Sequence, residues 1–389
     1  MAPPLPPVVR RLGGVSLLTD ASSEMIYPLL PAFLTGTLHA GPAFLGLVEG
    51  VAEAAASLLK IASGALADRL GRAKPLVVAG YSLSAVVRPC MALAGAPAHV
   101  LAIRLLDRVG KGVRGAPRDA LVAGAVAPQE RGRAFGFHRA MDNAGAVLGP
   151  LIAAAALAAG FELRAVFALA LVPGLLSVLV LVLGVSDGAR GSPAPRGAGS
   201  RLSPGFARYL AALGVFTLGN SSDAFLILRA QELGVPLVAV PLLWMFHHVV
   251  KAGLGTPLGA LSDRLGRKRA IAFGWVVYAL SYVGFAAAHA PLHAWLLFGL
   301  YGVFHAATEG AERALVADLV PEGARGRAFG WYHAVTGAAL LPASLLTGAL
   351  WHWRGAGAAL GTGAALAACA AGLLLALVPT SARRSERRS

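Results

Sequence analysis

Cysteine, acid and polar sequence are all scarce in this chain of 389 residues. The two cysteines, Cys90 and Cys369, both sit in apolar runs and match no metal or redox spacing. A disulfide framework and a cysteine-built metal centre are therefore not expected. Only 14% of residues are charged, and 19 acids stand against 34 lysines and arginines. The first residues, MAPPLPPVVRR, lack the compact apolar core and cleavage site of a signal peptide. No stretch carries a nucleophile elbow, a zinc-helix motif or a strand-to-helix phosphate loop, so an enzyme is not expected.

What is abundant is apolar. Hydrophobic residues make up 57%, and the 48 glycines raise the share to about 69%, against roughly 45–50% in an average soluble domain. Mean hydropathy is +0.67. A chain this long and this apolar belongs in a bilayer, where one span takes about 20 residues. The pattern predicts an all-α integral membrane protein of twelve helices, near 12–34, 43–66, 75–95, 98–123, 132–158 and 162–184, then 206–229, 236–261, 270–289, 291–318, 328–350 and 356–379. Residues 186–205, rich in Gly, Ser, Pro and Arg, read as a cytoplasmic linker between a six-helix half at 1–185 and another at 206–380. Residues 381–389 form a basic tail.

The net charge of +15 would suggest a nucleic-acid partner in a soluble protein. Here the basic residues cluster at helix ends, and no nucleic acid is expected. With the N-terminus inside, 21 basic residues fall on the cytoplasmic side and only Arg164, Arg229 and Arg354 opposite. This predicts a multi-pass protein of the plasma (cytoplasmic) membrane with both termini in the cytoplasm. No feature calls for a second copy, and a monomer is expected.

The halves repeat. GALADRLGRAKP at 64–75 recurs as GALSDRLGRKRA at 259–270, and RGRAFGFHRA at 131–140 recurs as RGRAFGWYHA at 325–334, displaced by 195 and 194 residues. An even number of helices per unit keeps the copies parallel. Asp68, Arg69, Gly71 and Arg72, with Asp263, Arg264, Gly266 and Arg267, lie in tight cytoplasmic turns, each preceded by a glycine four positions before its aspartate, Gly64 and Gly259. There glycine permits the reversal, and aspartate can meet helix-end N–H groups or arginines.

These loops resemble the signature loop of the major facilitator superfamily, and the resemblance covers nearly the whole chain. Arg108-Val109-Gly110-Lys111-Gly112 is similar to the family's helix-4 motif, with Lys111 in place of glutamine. Gly136, Gly145, Gly149 and Pro150 resemble the helix-5 motif of the drug:proton antiporters. The resemblance implies a secondary active transporter, a proton-coupled exporter of a small molecule working by alternating access, with no cofactor; the many charges expected in its cleft suit a polar, charged or zwitterionic substrate. Its partners are then the substrate, protons and lipid.

Ten acids and ten bases fall within predicted spans, where each costs about 2.5–3.5 kcal/mol at a helix centre. They are expected to line the cleft between halves or to pair inside a bundle. Asp20 and Glu24 share one face of helix 1, Glu49 and Glu53 one face of helix 2. Arg104, Arg108 and Lys111 form a basic ladder on helix 4. Asp142 follows His138 and Arg139, and Glu309 stands one turn before Arg313. Asp223, His247 and His248 complete the candidates for coupling or substrate contact. Arg118, Asp119, Glu312 and Arg313, near helix ends, read as structural pairs. Two alternatives remain open: efflux of a divalent metal or its chelate by the acids and histidines, and a non-transporting sensor on the same fold.

Overall fold

The computed structural model describes residues 4–70, 72–127, 130–186, 203–321 and 324–379, with backbone alone at Ile61, Gly64, Ala65, Asp68, Arg69 and Gly326. Among the described residues there are helices and turns but no strand. The helices are α1 (Pro7–Ile26), α2 (Pro42–Leu70), α3 (Lys74–Val87), α4 (Pro97–Gly124), α5 (Arg131–Ala158), α6 (Leu163–Leu169) and α7 (Leu171–Gly184). They continue with α8 (Pro204–Gly219), α9 (Ala224–Glu232), α10 (Val240–Leu265), α11 (Arg267–Ala287), α12 (Pro291–Asp318) and α13 (Arg325–Leu377).

Proline and glycine set the boundaries. Proline occupies the first turn of α1, α2, α3, α4, α8 and α12, where its missing N–H costs no hydrogen bond. Pro28 and Pro31 end the regular part of α1, which continues as short turns to Thr37. Gly355, at φ 82°, breaks α13 into two helices.

Every predicted stretch is largely helical. Among the described residues, eight segments are long and apolar enough to cross a membrane: 42–60, 74–93, 131–158, 163–184, 204–232, 237–265, 267–287 and 327–377, the last holding both parts of α13. Helices α1, α4 and α12 fall short because they carry acids, arginines and histidines. The stretch expected as one helix over 206–229 is interrupted at Asn220–Asp223. Asp223 therefore sits at the head of α9 rather than within a continuous span. Outward faces remain apolar, as at Leu58, Leu183, Leu292 and Trp353, a surface suited to hydrocarbon.

The chain divides into two compact units, Met1–Pro193 with Ser222–His248, and Ala194–Ser221 with Val249–Ser389. In the first unit α1 packs on α5 and α7, and α4 is wedged between α2 and α3. In the second, α13 packs on α8 and α11, and α11 on α12. Most of the predicted linker and the basic tail lie outside the described residues.

Single cysteines on a background lacking Cys90 and Cys369 check the orientation. Ser192→Cys and Glu386→Cys are expected to react only with reagent on the cytoplasmic side. Arg354→Cys, at an exposed position beside the Gly355 break, is expected to react only from outside. Labelling of 354 and 192 from the same side would contradict the arrangement.

Candidate functional site

In the first unit the site begins with glycines on α4. A Cβ on Gly110 would stand 2.6 Å from Ser84 Oγ and 2.7 Å from the Gly80 carbonyl oxygen; one on Gly112, 2.7 Å from Leu59 Cβ. The Arg-Val-Gly-Lys-Gly spacing is thus what lets α4 approach α3 and α2. That approach brings the basic ladder onto acids of its neighbours. Arg104 donates through Nε and Nη2 to Glu49 Oε1 at 3.0 and 2.6 Å. Arg108 Nε lies 2.9 Å from Glu53 Oε1. Arg88, at the end of α3, reaches Asp107 Oδ1 at 2.7 Å and donates to the Thr19 carbonyl at 2.9 Å. Arg114 donates to Ser84 Oγ at 2.6 Å and lies 4.4 Å over the Tyr81 ring. Lys111 stays exposed. In a low-dielectric interior a charge is tolerated only when compensated, and here Glu49, Glu53 and Asp107 each have an arginine.

The helix-5 glycines organise the other side. A Cβ on Gly145 would collide with the Leu17 carbonyl and stand 2.9 Å from Asp20 Cβ; one on Gly149 would collide with the Ala21 carbonyl and stand 3.0 Å from Glu24 Cβ. These two glycines hold α5 against the face of α1 that carries both acids. Gly136 has open space where a Cβ would go and takes no part in this contact. Pro150 is buried beside Gly149. Ser16 donates to Asp142 Oδ1, with His138 Nδ1 at 3.4 Å and Arg139 at 3.8 Å. Asp142 thus belongs to a half-buried cluster bridging α1 and α5.

Two groups here escaped the sequence, Trp244 and Ser222; Tyr27 is legible there only as a neighbour of Asp20 and Glu24 on one face of helix 1. Trp244 Nε1 donates to Glu24 Oε2 at 2.7 Å, and its ring stacks on His247 at 5.1 Å and meets His248 edge-on at 4.9 Å. Ser222 donates to Glu49 Oε2 at 3.1 Å and lies 3.3 Å from the Tyr27 hydroxyl. The adjacent histidines on α10 were the nearest signal, and they were expected to contact substrate rather than to stack on Trp244. Among the described residues no three histidine, cysteine or acid side chains stand together as a metal site.

Asp20 stands apart. Its half-buried carboxylate has neither a hydrogen bond nor an ion pair among the described residues, whereas the other acids described within the helices of this unit are all bonded.

In the second unit, Gly266 at φ 96° makes the tight reversal expected of the signature loop. Arg267, at the start of α11, lies 3.2 Å from Asp263 and 2.7 Å from Asp318 at the end of α12. Arg264 is exposed beside it, and Gly259 is half-buried. In the first copy only Arg72, also exposed, has a described side chain; Gly71 and the Asp68 and Arg69 side chains lie outside the description. Glu309 pairs with Lys251 at 2.5 Å rather than with Arg313, because α10 brings the lysine closer than the helix's own next turn. Glu312, read from sequence as part of a structural ion pair, instead accepts from Trp275 Nε1 at 3.2 Å and from the Tyr332 hydroxyl at 2.8 Å.

The family model described as Major Facilitator Superfamily matches residues 12–250 and 208–389. The chain belongs to that superfamily. An uncharacterized MFS-type transporter of Methanocaldococcus jannaschii is 33% identical over 354 residues, covering 87% of each chain. The multidrug resistance protein MdtH of Cronobacter sakazakii is 36% identical over 148 residues, 37% of each chain. Among solved structures, an inward-facing bacterial homolog of the human lysosomal transporter Spinster has a TM-score of 0.75 at 16% identity over 95% of each chain. The nucleoside transporter NupG reaches 0.78 at 15% identity, covering 96% of this chain and all of the other. As a member of the major facilitator superfamily, the protein is a multi-pass membrane transporter of small molecules.

Proposed function

We propose that this transporter is a proton-coupled exporter of a small polar, charged or zwitterionic molecule, with twelve crossings in two six-helix halves and alternating access between them. Asp20 carries the proton. The observation behind this is the isolation of its carboxylate: surrounded by acids that arginines or neutral donors hold, it is free to gain and lose a proton without breaking a bond. The glycines that seat α5 against it fit the antiporter-type motif, and the stretch of resemblance to MdtH supports export. Arg104, Arg108 and Lys111 set the charge balance around it.

The test is flux in proteoliposomes, using the strongest hits of a thermal-shift screen against charged metabolites, drugs and metal ions. An imposed proton gradient is expected to drive accumulation against the ligand's own gradient, and collapsing it with an ionophore should leave only downhill movement. Accumulation indifferent to the gradient would contradict the proposal.

The signature loops are proposed to act as latches. Asp263 is largely exposed and its pair with Arg267 is worth at most about 1 kcal/mol. Asp318 is 9% exposed and holds the same guanidinium more closely. Asp318→Asn is therefore expected to slow turnover more than Asp263→Asn, with ligand affinity little changed in both. Equal turnover in the two variants would remove the latch from Asp318.

A further inference from the structure

The second unit holds a cavity of about 180 Å³ between α8, α12 and α13, and no role described above uses it. Its walls are partly aromatic: Phe216 stacks on Trp275 with centroids 4.5 Å apart, and Phe304 and Tyr332 also line the space. A cavity of roughly 150 Å³ is enough to hold a benzene ring. Three charged groups line this space, Glu309, Glu312 and Arg313, and they differ in their surroundings.

Glu312 is buried and bonded only to neutral donors, the Trp275 indole and the Tyr332 hydroxyl. No basic side chain lies within ion-pair distance of it among the described residues. Arg313, which also lines the cavity, is exposed and likewise has no ion-pair partner among them. Glu309 is different, since Lys251 already closes it at 2.5 Å. A buried carboxylate without a cation is costly in a membrane protein, and a ligand cation would relieve that cost. An aromatic wall beside it favours a cation further.

We propose that this cavity is a subsite for a small amphipathic zwitterion, such as an amino acid with a ring-sized apolar side chain. The ammonium pairs with Glu312, the carboxylate with Arg313, and the apolar group packs on Phe216 and Phe304. This rests on reading the chain as a transporter and names the class of its cargo.

Equilibrium binding to the purified full-length protein, by isothermal titration calorimetry, tests it with three probes. Phenylalanine carries both charges, phenethylamine only the ammonium, and 3-phenylpropionate only the carboxylate. Phenylalanine is expected to bind best, phenethylamine more weakly and phenylpropionate least. Glu312→Gln should weaken both amines by at least about tenfold, the scale of one charge-assisted hydrogen bond. Arg313→Gln should weaken phenylalanine alone and erase its advantage over phenethylamine. Tyr332→Phe keeps the carboxylate and removes one neutral donor, so it should retain amine binding and shows that the altered pocket still folds. Failure of both amines to bind, or binding unchanged in Glu312→Gln, would overturn the subsite. Binding needs no proton gradient, so that failure would leave the coupling role of Asp20 standing, and loss of coupling would leave the subsite standing.

Discussion

Asp20→Asn is expected to reduce proton-driven accumulation to the level of protein-free liposomes while leaving exchange of labelled for unlabelled ligand measurable. The substitution keeps the size of the side chain and the α1–α5 contact, where a Cβ on Gly145 would stand 2.9 Å from Asp20 Cβ. What it removes is the site that takes up and releases a proton, so the halves can still rock with ligand bound but cannot draw on the gradient. Glu24→Gln is the contrasting control. A glutamine carbonyl still accepts from the Trp244 indole, now 2.7 Å from the carboxylate, so gradient-driven accumulation should persist. Full accumulation in Asp20→Asn would move the proton path to Glu24, Glu49, Glu53 or Asp142.

The second large effect concerns stability. Arg88→Met is expected to destabilise the protein by about 3–5 kcal/mol, because it leaves Asp107 buried without its cation. The double variant Arg88→Met/Asp107→Leu, which removes both charges, should recover much of that loss. Arg118→Met, which breaks the half-exposed pair with Asp119, should cost no more than about 1 kcal/mol. Thermal unfolding of the three variants in one detergent supplies the ordering. If Arg88→Met melts alongside Arg118→Met, the buried pair is not what holds α3 to α4.

Sequence made the local and repeated features legible. Apolar runs located the helices, the loop at 259–270 carried the positive φ of Gly266 in its motif, and Gly145 and Gly149 pack as their spacing suggested. Charge pairing was less accessible. Spacing along one helix identifies neighbours at i+3 and i+4 only, whereas Arg104 pairs with Glu49 across 55 positions and Arg88 with Asp107 across 19. The same limit assigned Glu309 to Arg313 when Lys251 of α10 is its partner. Neutral donors were harder still, since Trp244, Trp275 and Tyr332 look like any buried aromatic until a carboxylate is found at their polar edge. The break at Asn220–Asp223 was hidden because apolar residues flank it on both sides.

Ligand-linked proton release tests the central claim most directly. In lightly buffered detergent solution near neutral pH, saturating wild-type protein with its strongest screened ligand is expected to release protons, followed with a pH-indicator dye. Asp20→Asn, which binds the same ligand, should release none. Undiminished release from Asp20→Asn would contradict the account, because the proton exchanged for ligand would then reside elsewhere.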